Sequence, residues 1–241
     1  KLPPAVSIDS LNRDSEIKAV LLRVDSPGGT AAASQEIYAE IRRSKKPVIV
    51  SIGDIGASGA YYVASAADQI MASPASAVGS IGVIIEIPNY QELLKKLGID
   101  YVVITQGKFK DIGNPNRPLT EEEKEILTSQ AKVVYEQFIM DVARGRRLSR
   151  EEVRNLATGL TFPGSEAVHL GLIDQLGNFQ DAVDLAAKFG KIKGEPRIIE
   201  YKAPSFLDLF RTTFLGGSSA FQESLFLKYL QSLPLQHQVP R

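Results

Sequence analysis

The sequence predicts an α/β fold built on a parallel sheet. Two short apolar runs rich in β-branched residues, 17–24 and 47–52, are typical of buried parallel strands. The segment between them carries apolar residues at helical spacing, namely Ile37, Tyr38 and Ile41. Together the three segments predict a β-α-β unit, whose crossover should be right-handed.

Further short elements follow along the first half of the chain. The small residues from Ser58 to about Ala67 predict a helix directly after the second strand. Residues 106–119 show no periodicity, and an irregular stretch of this length inside a compact domain is more often functional than not. The other predicted elements are strands over 68–72, 81–85 and 100–105 and a helix over 89–98.

Capping sequences mark the helices of the second half. Thr120 with Glu123 forms a capping box for a long helix to about Arg144, and Ser149 with Glu152 starts the next helix in the same way. Helices over 164–171 and 178–190 and a strand over 196–201 complete a domain of residues 1–203, which an apolar helical tail of residues 204–241 follows.

The bulk composition excludes several classes of function. The 28 Lys and Arg residues balance 28 Asp and Glu residues, so the chain lacks the basic surplus that binding to nucleic acid needs. With no cysteine, disulfides, thiol catalysis and thiolate metal sites are excluded. No apolar run reaches the length of a membrane span. The opening KLPPAVSIDS reads as a cut edge, so a membrane anchor absent from this chain is expected upstream.

Metal and phosphate chemistry have no motif in the sequence. There is no HExxH, no Asp-rich calcium loop and no Walker A sequence. The glycines at 53, 56 and 59 do not have the spacing of a dinucleotide-binding loop. We therefore expect no metal and no other cofactor.

Two glycine-rich corners, each at the end of a predicted strand, form the candidate site. In DIGASGAYY, Ser58 lies where a strand turns into a helix, so its hydroxyl would project beside free backbone N–H groups, as at a nucleophile elbow. In DSPGGT, the turn at Gly28 and Gly29 exposes N–H groups that could bind an oxyanion. Small residues also suit close packing or a plain turn. Because ligands of α/β sheets bind at the carboxyl ends of strands, the pair of corners favours a site.

A nucleophilic serine needs a base, and histidine is poorly placed to supply it. His169 lies on an apolar helix end and His237 in the tail. A lysine can replace histidine where burial lowers its pKa to roughly 7–8, as in Ser-Lys variants of the catalytic triad. The irregular stretch GKFKDIG offers Lys108 and Lys110.

Four segments carry a resemblance to a known family. VDSPGGT, GASGAYYVASAADQIMASPASAVGSIGVI, GKFKDIG and GLTFPGSEAVHLGLIDQLG occur in this order. Together they resemble the signal peptide peptidase A family of serine peptidases, in its short bacterial form, between residues 17 and 201. The resemblance implies the spiral of ββα units shared by the Clp protease and crotonase superfamily, here with a C-terminal helical extension.

The resemblance assigns roles to individual residues. Ser58 matches the nucleophile of the family, and Lys110 matches its general base. Ser80 matches a serine that hydrogen-bonds and orients the lysine amine. The backbone N–H groups of Gly28 and Gly59 match the donors to the oxyanion.

Two details of the match concern neighbouring residues. Lys110 is a better match than Lys108, because the lysine of the family directly precedes the aspartate that matches Asp111. The family often has two glycines after the nucleophile, whereas this chain has Gly59 and then Ala60.

The resemblance also implies substrates, partners and location. The expected substrates are released signal peptides and other unfolded apolar peptides, cleaved without a cofactor at the extracytoplasmic side of a bacterial cell membrane. Because the long form of the family divides the dyad between two domains, a single unit is expected to form a homo-oligomer with shared active sites. Segments 206–215 and 221–233 are expected to be partly buried in this assembly or to line its interior. The alternatives are a crotonase-like acyl-CoA enzyme and a non-catalytic membrane-associated scaffold.

Overall fold

The structure is a computed structural model that describes residues 8–201. Of these, residues Ile8–Pro196 form one compact unit. The helices are α1 (Ile8–Arg13), α2 (Ala31–Arg42), α3 (Gly59–Ala64), α4 (Gln91–Lys96), α5 (Glu121–Arg146), α6 (Arg150–Leu156), α7 (Gly164–Ala167) and α8 (Phe179–Phe189). The strands are β1 (Val20–Ser26), β2 (Val48–Ala57), β3 (Gln69–Ala72), β4 (Ala77–Gly79), β5 (Thr161–Pro163) and β6 (Gln175–Leu176).

The six strands of the described region belong to one sheet with β2 at its centre. The order along the sheet is β5-β4-β2-β3-β6, and β1 also pairs with β2. All pairings are parallel except that of β4 with β5. Parallel strands joined through α2 and α3 confirm the predicted α/β class.

Strand β2 changes partners halfway along its length. Its first half, Ile49–Ile52, pairs with β3, whereas its second half, Ile55–Ala57, pairs with β4. The change coincides with a bulge, because residues 53–55 of β2 lie opposite the single residue Asp25 of β1. The bulge thus turns the end of β2, and with it Ser58, toward β4.

The hydrophobic core joins the sheet to helices α3 and α5. Val50 and Ile70 of the central strands are fully buried in one cluster with Tyr61 of α3 and Phe138 of α5. Burial of each such side chain stabilises the fold by about 1.5–3 kcal/mol. The start of α3, where Ser58 lies, is therefore attached to the most deeply buried part of the molecule.

Three predicted strands, 81–85, 100–105 and 196–201, are wrong: none of these segments is a strand. Ile81 is buried in the core, but most of their other β-branched side chains are exposed, as for Val102 at 83% and Ile104 at 91%. An extended segment becomes a strand only when its backbone pairs with a neighbour, and none of the described strands pairs with these segments.

Most other predicted elements are present with shifted ends. The helices predicted over 58–67 and 89–98 are α3 and α4, and both predicted capping boxes start their helices, α5 and α6. Residues 106–119 contain neither helix nor strand, as predicted. Helix α1 and strands β4, β5 and β6 were not predicted.

The predicted tail, residues 204–241, lies outside the described residues, and the domain boundary at 203 stays a prediction. Among the helices of residues 8–201, none is long and apolar enough to span a membrane.

Candidate active site

Ser58 occupies a strained turn between strand β2 and helix α3. Its φ of 50° lies in the left-handed region that non-glycine residues rarely adopt. Its N–H donates to the carbonyl of Gly79 at 2.8 Å, and its own carbonyl accepts from the N–H of Tyr62 at 2.9 Å. Both backbone groups are thus held, while the half-buried side chain stays accessible, as a nucleophile elbow requires.

Two tyrosines of α3 fix the helix that follows Ser58. The Tyr61 hydroxyl donates to the Leu172 carbonyl at 2.8 Å. The Tyr62 ring lies 4.6 Å from that of Phe138 between centroids, and its hydroxyl donates to the Asp141 carboxylate. Burial raises the pKa of Tyr61 and, together with the bond to Asp141, that of Tyr62. Both hydroxyls therefore remain protonated donors at physiological pH.

The turn at Gly28 and Gly29 packs directly against Ser58. A Cβ atom added to Gly28 would lie 2.8 Å from the Ser58 Cβ and 3.0 Å from the Gly59 nitrogen. Gly28 also has a φ of 127°, which side chains rarely permit. A Cβ on Gly59 would in turn lie 3.0 Å from the Gly29 nitrogen and 2.5 Å from the Ser34 Oγ. The structure thus brings Ser58, Gly28 and Gly59 together.

The two predicted donor groups differ in their present partners. The Gly28 N–H donates to the Ser26 Oγ at 3.2 Å, so an oxyanion would have to compete with this hydroxyl. Gly59 is the first residue of α3, and N–H groups of a first helical turn have no partner within their own helix. Sequence reasoning missed Ser26, although it lies within the DSPGGT motif.

Ser80 lies at the same end of the sheet as Ser58. Ala57 pairs with Gly79 in parallel register, so the residues that follow them leave neighbouring strands side by side. Ser80 has a φ of 51°, close to that of Ser58. Its hydroxyl donates to the Gly159 carbonyl at 3.0 Å, which leaves the oxygen free to accept a hydrogen bond.

The two candidate lysines lie in different surroundings. The Lys108 amine forms an ion pair with Glu122 at 2.6 Å and lies 4.7 Å from the centre of the Phe109 ring. Lys110 is exposed, and its amine makes no hydrogen bond or ion pair within residues 8–201. In particular, no hydrogen bond joins it to Ser58 or Ser80. The Lys108 amine is thus occupied by Glu122, whereas the Lys110 amine has no partner among residues 8–201.

Histidine is predicted to be poorly placed to act as the base, and His169 lies away from helix α3 in sequence and on the surface. His169 is exposed in the turn after α7, and His237 lies outside the described residues. In the part of the chain that the structure describes, no cluster of His, Asp and Glu side chains could hold a metal ion.

Sequence reasoning missed polar groups that support the bulge in β2 and the irregular stretch 106–119. The Asp25 carboxylate accepts from the N–H of Ile55 inside the bulge at 3.1 Å. Arg117 joins Asp111 to Glu123 across the irregular stretch. The capping box signalled Glu123, but nothing in the spacing signalled that Arg117 reaches it.

Comparison with known proteins identifies the family of this chain. The model of peptidase family S49 matches residues 40–193. MJ0651 of Methanocaldococcus jannaschii, named a candidate protease, is 40% identical over 87% of this chain and 68% of its own length. An Enterococcus faecium protein named a candidate signal peptide peptidase SppA is 35% identical over 90% of this chain and 63% of its own. The chain thus spans about two thirds of these relatives.

Among solved structures, a mutant of ClpP1 from Listeria monocytogenes aligns with 68% of this chain and 76% of its own, with a TM-score of 0.45 and 17% sequence identity. The chain belongs to peptidase family S49 and to the class of serine peptidases that the sequence predicted.

Proposed function

We propose that this chain is a serine peptidase with Ser58 as nucleophile and Lys110 as general base. The observation that carries the proposal is the packing of Gly28 and Gly59 around the strained turn at Ser58. Hydrolysis of an amide needs a nucleophile with oxyanion donors a few ångströms away. The two glycines that matched the oxyanion donors meet at the serine that matched the nucleophile.

The reaction proceeds through an acyl-enzyme. The neutral Lys110 amine takes the proton of the Ser58 hydroxyl as the Oγ attacks the peptide carbonyl carbon, and the N–H groups of Gly28 and Gly59 stabilise the resulting oxyanion. The C–N bond then breaks, and the leaving amine takes the proton from Lys110. Water gives a proton to Lys110 as it attacks the ester carbon. The bond between this carbon and the Ser58 Oγ then breaks, the Oγ takes the proton back from Lys110, and the carboxylic acid is released.

The exposure of Lys110 bears on how the site is completed. A lysine base must be neutral near physiological pH, and this requires removal from water. Lys110 is exposed in the single chain, as are the apolar side chains of Val102 and Ile104. A second copy of the chain would cover both features and bring its own Lys110 to a neighbouring Ser58. We therefore propose a closed homo-oligomer with active sites shared between chains.

The proposed substrates are released signal peptides and other unfolded apolar peptides. One relative is named for the hydrolysis of signal peptides. By the same likeness, we propose that the domain works at the extracytoplasmic side of a bacterial cell membrane. The peptidase needs no cofactor in this mechanism.

Labelling with a fluorophosphonate tests the proposal. The probe should modify the wild-type chain at Ser58, as identified by mass spectrometry, and should not modify Ser58→Ala. The surface variant Ser129→Ala is the control and should be labelled like the wild type. A wild-type chain that the probe leaves unmodified would instead favour a crotonase-like acyl-CoA enzyme or a non-catalytic scaffold, because neither needs a reactive serine.

A further inference from the structure

Arg117 lies between two carboxylates. Its Nε donates to the Asp111 carboxylate at 2.9 Å, and its Nη1 and Nη2 donate to the two oxygens of Glu123 at 2.8 and 2.5 Å. A further bond runs from Nη2 to the Asp111 carbonyl at 3.3 Å. The Glu123 side chain is 5% exposed. Bidentate contact of this kind fixes geometry as well as charge.

The three residues attach an irregular loop to a long helix. Glu123 closes the capping box of α5 and accepts from the Thr120 N–H at 2.9 Å. Asp111 follows Lys110 directly in a stretch without helix or strand. Through Arg117, the turn that carries Lys110 is therefore fixed to the first turn of a 26-residue helix.

The same contacts, together with the ion pair of Lys108, occupy three carboxylates of this loop and of the start of α5. Asp111 is the nearest carboxylate in sequence, and Arg117 engages it. Glu123 is occupied by the same guanidinium, and Glu122 is paired with Lys108. The bonds from Arg117 lower the pKa of Asp111 and hold that of Glu123 at about 2, so both carboxylates stay ionised at neutral pH. A free carboxylate beside a lysine would favour the protonated amine, which cannot act as a base.

We propose that Arg117 is a positioning residue for the Lys110 base, which anchors the Lys110 turn to α5 and keeps the Asp111 carboxylate from pairing with the amine. The proposal rests on the proposed role of Lys110. Under this proposal Arg117 has two separable effects: it fixes the position of the Lys110 amine, and it influences whether that amine is protonated.

The test uses the full chain and an internally quenched apolar peptide. Arg117→Ala should lower kcat by roughly 10- to 100-fold, because a misplacement of about 1 Å has effects of that order, with KM nearly unchanged. The pH of half-maximal activity should move up by about one unit, since Asp111 is then free to pair with Lys110. In Arg117→Ala/Asp111→Asn this pH should return to the wild-type value while kcat stays low.

Arg154→Ala is the matched control. Arg154 makes an equally bidentate contact with Glu136, at 2.6 Å for both bonds, between α6 and α5. This variant should keep the wild-type kcat and pH profile. Should Arg117→Ala fail to fold, Arg117→Lys carries the test, because a lysine keeps the charge but cannot contact both carboxylates in the same way.

Each outcome separates the two proposals. Activity in Lys110→Ala would overturn the proposed function itself. An inactive Lys110→Ala together with a wild-type kcat and pH profile in the Arg117 variants would overturn only the role of Arg117. Equal losses in Arg154→Ala would show a general effect on the fold and would also overturn it. A pH profile that Asp111→Asn does not restore would overturn the charge effect.

Discussion

At the scale of single residues, the site depends on backbone conformations that residues with a side chain rarely adopt. Ser58 and Ser80 both have positive φ values, and Gly28 lies against Ser58 at a φ of 127°. Such conformations cost about 1–3 kcal/mol each and persist where the surrounding structure fixes them. The sequence marked Gly28 and Ser58 by their motifs, but their direct contact comes from the fold.

Gly28→Ala should destabilise the fold by about 1–3 kcal/mol and abolish turnover, because the new methyl group would meet Ser58 and the φ is unsuited to alanine. Urea unfolding and peptide hydrolysis measure the two effects. Gly29→Ala is the matched control, since a Cβ there meets nothing within 4 Å. Equal behaviour of the two variants would contradict the close contact at Ser58.

The Glu123 carboxylate should make stability depend on acid pH. Hydrogen bonds from Arg117 and then from the Thr120 N–H lower its pKa from 4.5 to about 2. Because the folded-state pKa is depressed, the stabilisation is present above pH 4.5 and is lost as the pH falls toward 2. The difference in unfolding free energy between wild type and Glu123→Gln should therefore shrink over this range. A difference that stays constant would refute the coupling, and Glu125→Gln, which alters an exposed glutamate of the same helix, is the control.

At the scale of elements, the bulge in β2 delivers the nucleophile. Residues 53–55 lie opposite the single residue Asp25 of β1. The Asp25 carboxylate accepts a hydrogen bond from the Ile55 N–H, and from Ile55 onward β2 pairs with β4. Bulges commonly re-aim a strand next to an active site. The sequence predicted the strand and the corner but not the bulge, because pairing between distant segments leaves no local pattern.

Asp25→Ala should reduce activity several-fold, because loss of this hydrogen bond weakens the bulge by about 1 kcal/mol. Asp25→Asn keeps an acceptor and should recover most of the activity. Asp184→Ala removes the same charge from an exposed position of α8, outside the bulge, and serves as control. The hydrolysis rates of the three variants are compared with that of the wild type. A wild-type rate in Asp25→Ala would show that the bulge forms without the carboxylate.

The segments 81–85 and 100–105 show where prediction from sequence ends. Their β-branched patterns predicted strands, yet both are unpaired and expose apolar side chains in the single chain. Strand formation depends on a pairing partner as well as on local preference. By contrast, the capping boxes of α5 and α6 were predicted correctly because every interaction in them spans three residues.

At the scale of the whole molecule, the proposed site is divided. Ser58, Ser80, Gly28 and Gly59 lie at the carboxyl ends of neighbouring strands, whereas Lys110 lies on an exposed turn with no partner among residues 8–201. The sequence alone could name all five residues through its resemblance to a family. The same resemblance led us to expect a site shared between chains, and this sharing stays a prediction.

Mixing two inactive variants tests the central claim most directly. Ser58→Ala and Lys110→Ala should each be inactive against the quenched peptide, and Lys108→Ala should stay active. After subunit exchange, shown by energy transfer between labelled chains, the mixture should regain activity where an intact Ser58 meets an intact Lys110. Substantial activity in Lys110→Ala alone would contradict the Ser-Lys dyad, and exchanged but inactive mixtures would contradict a site shared between chains.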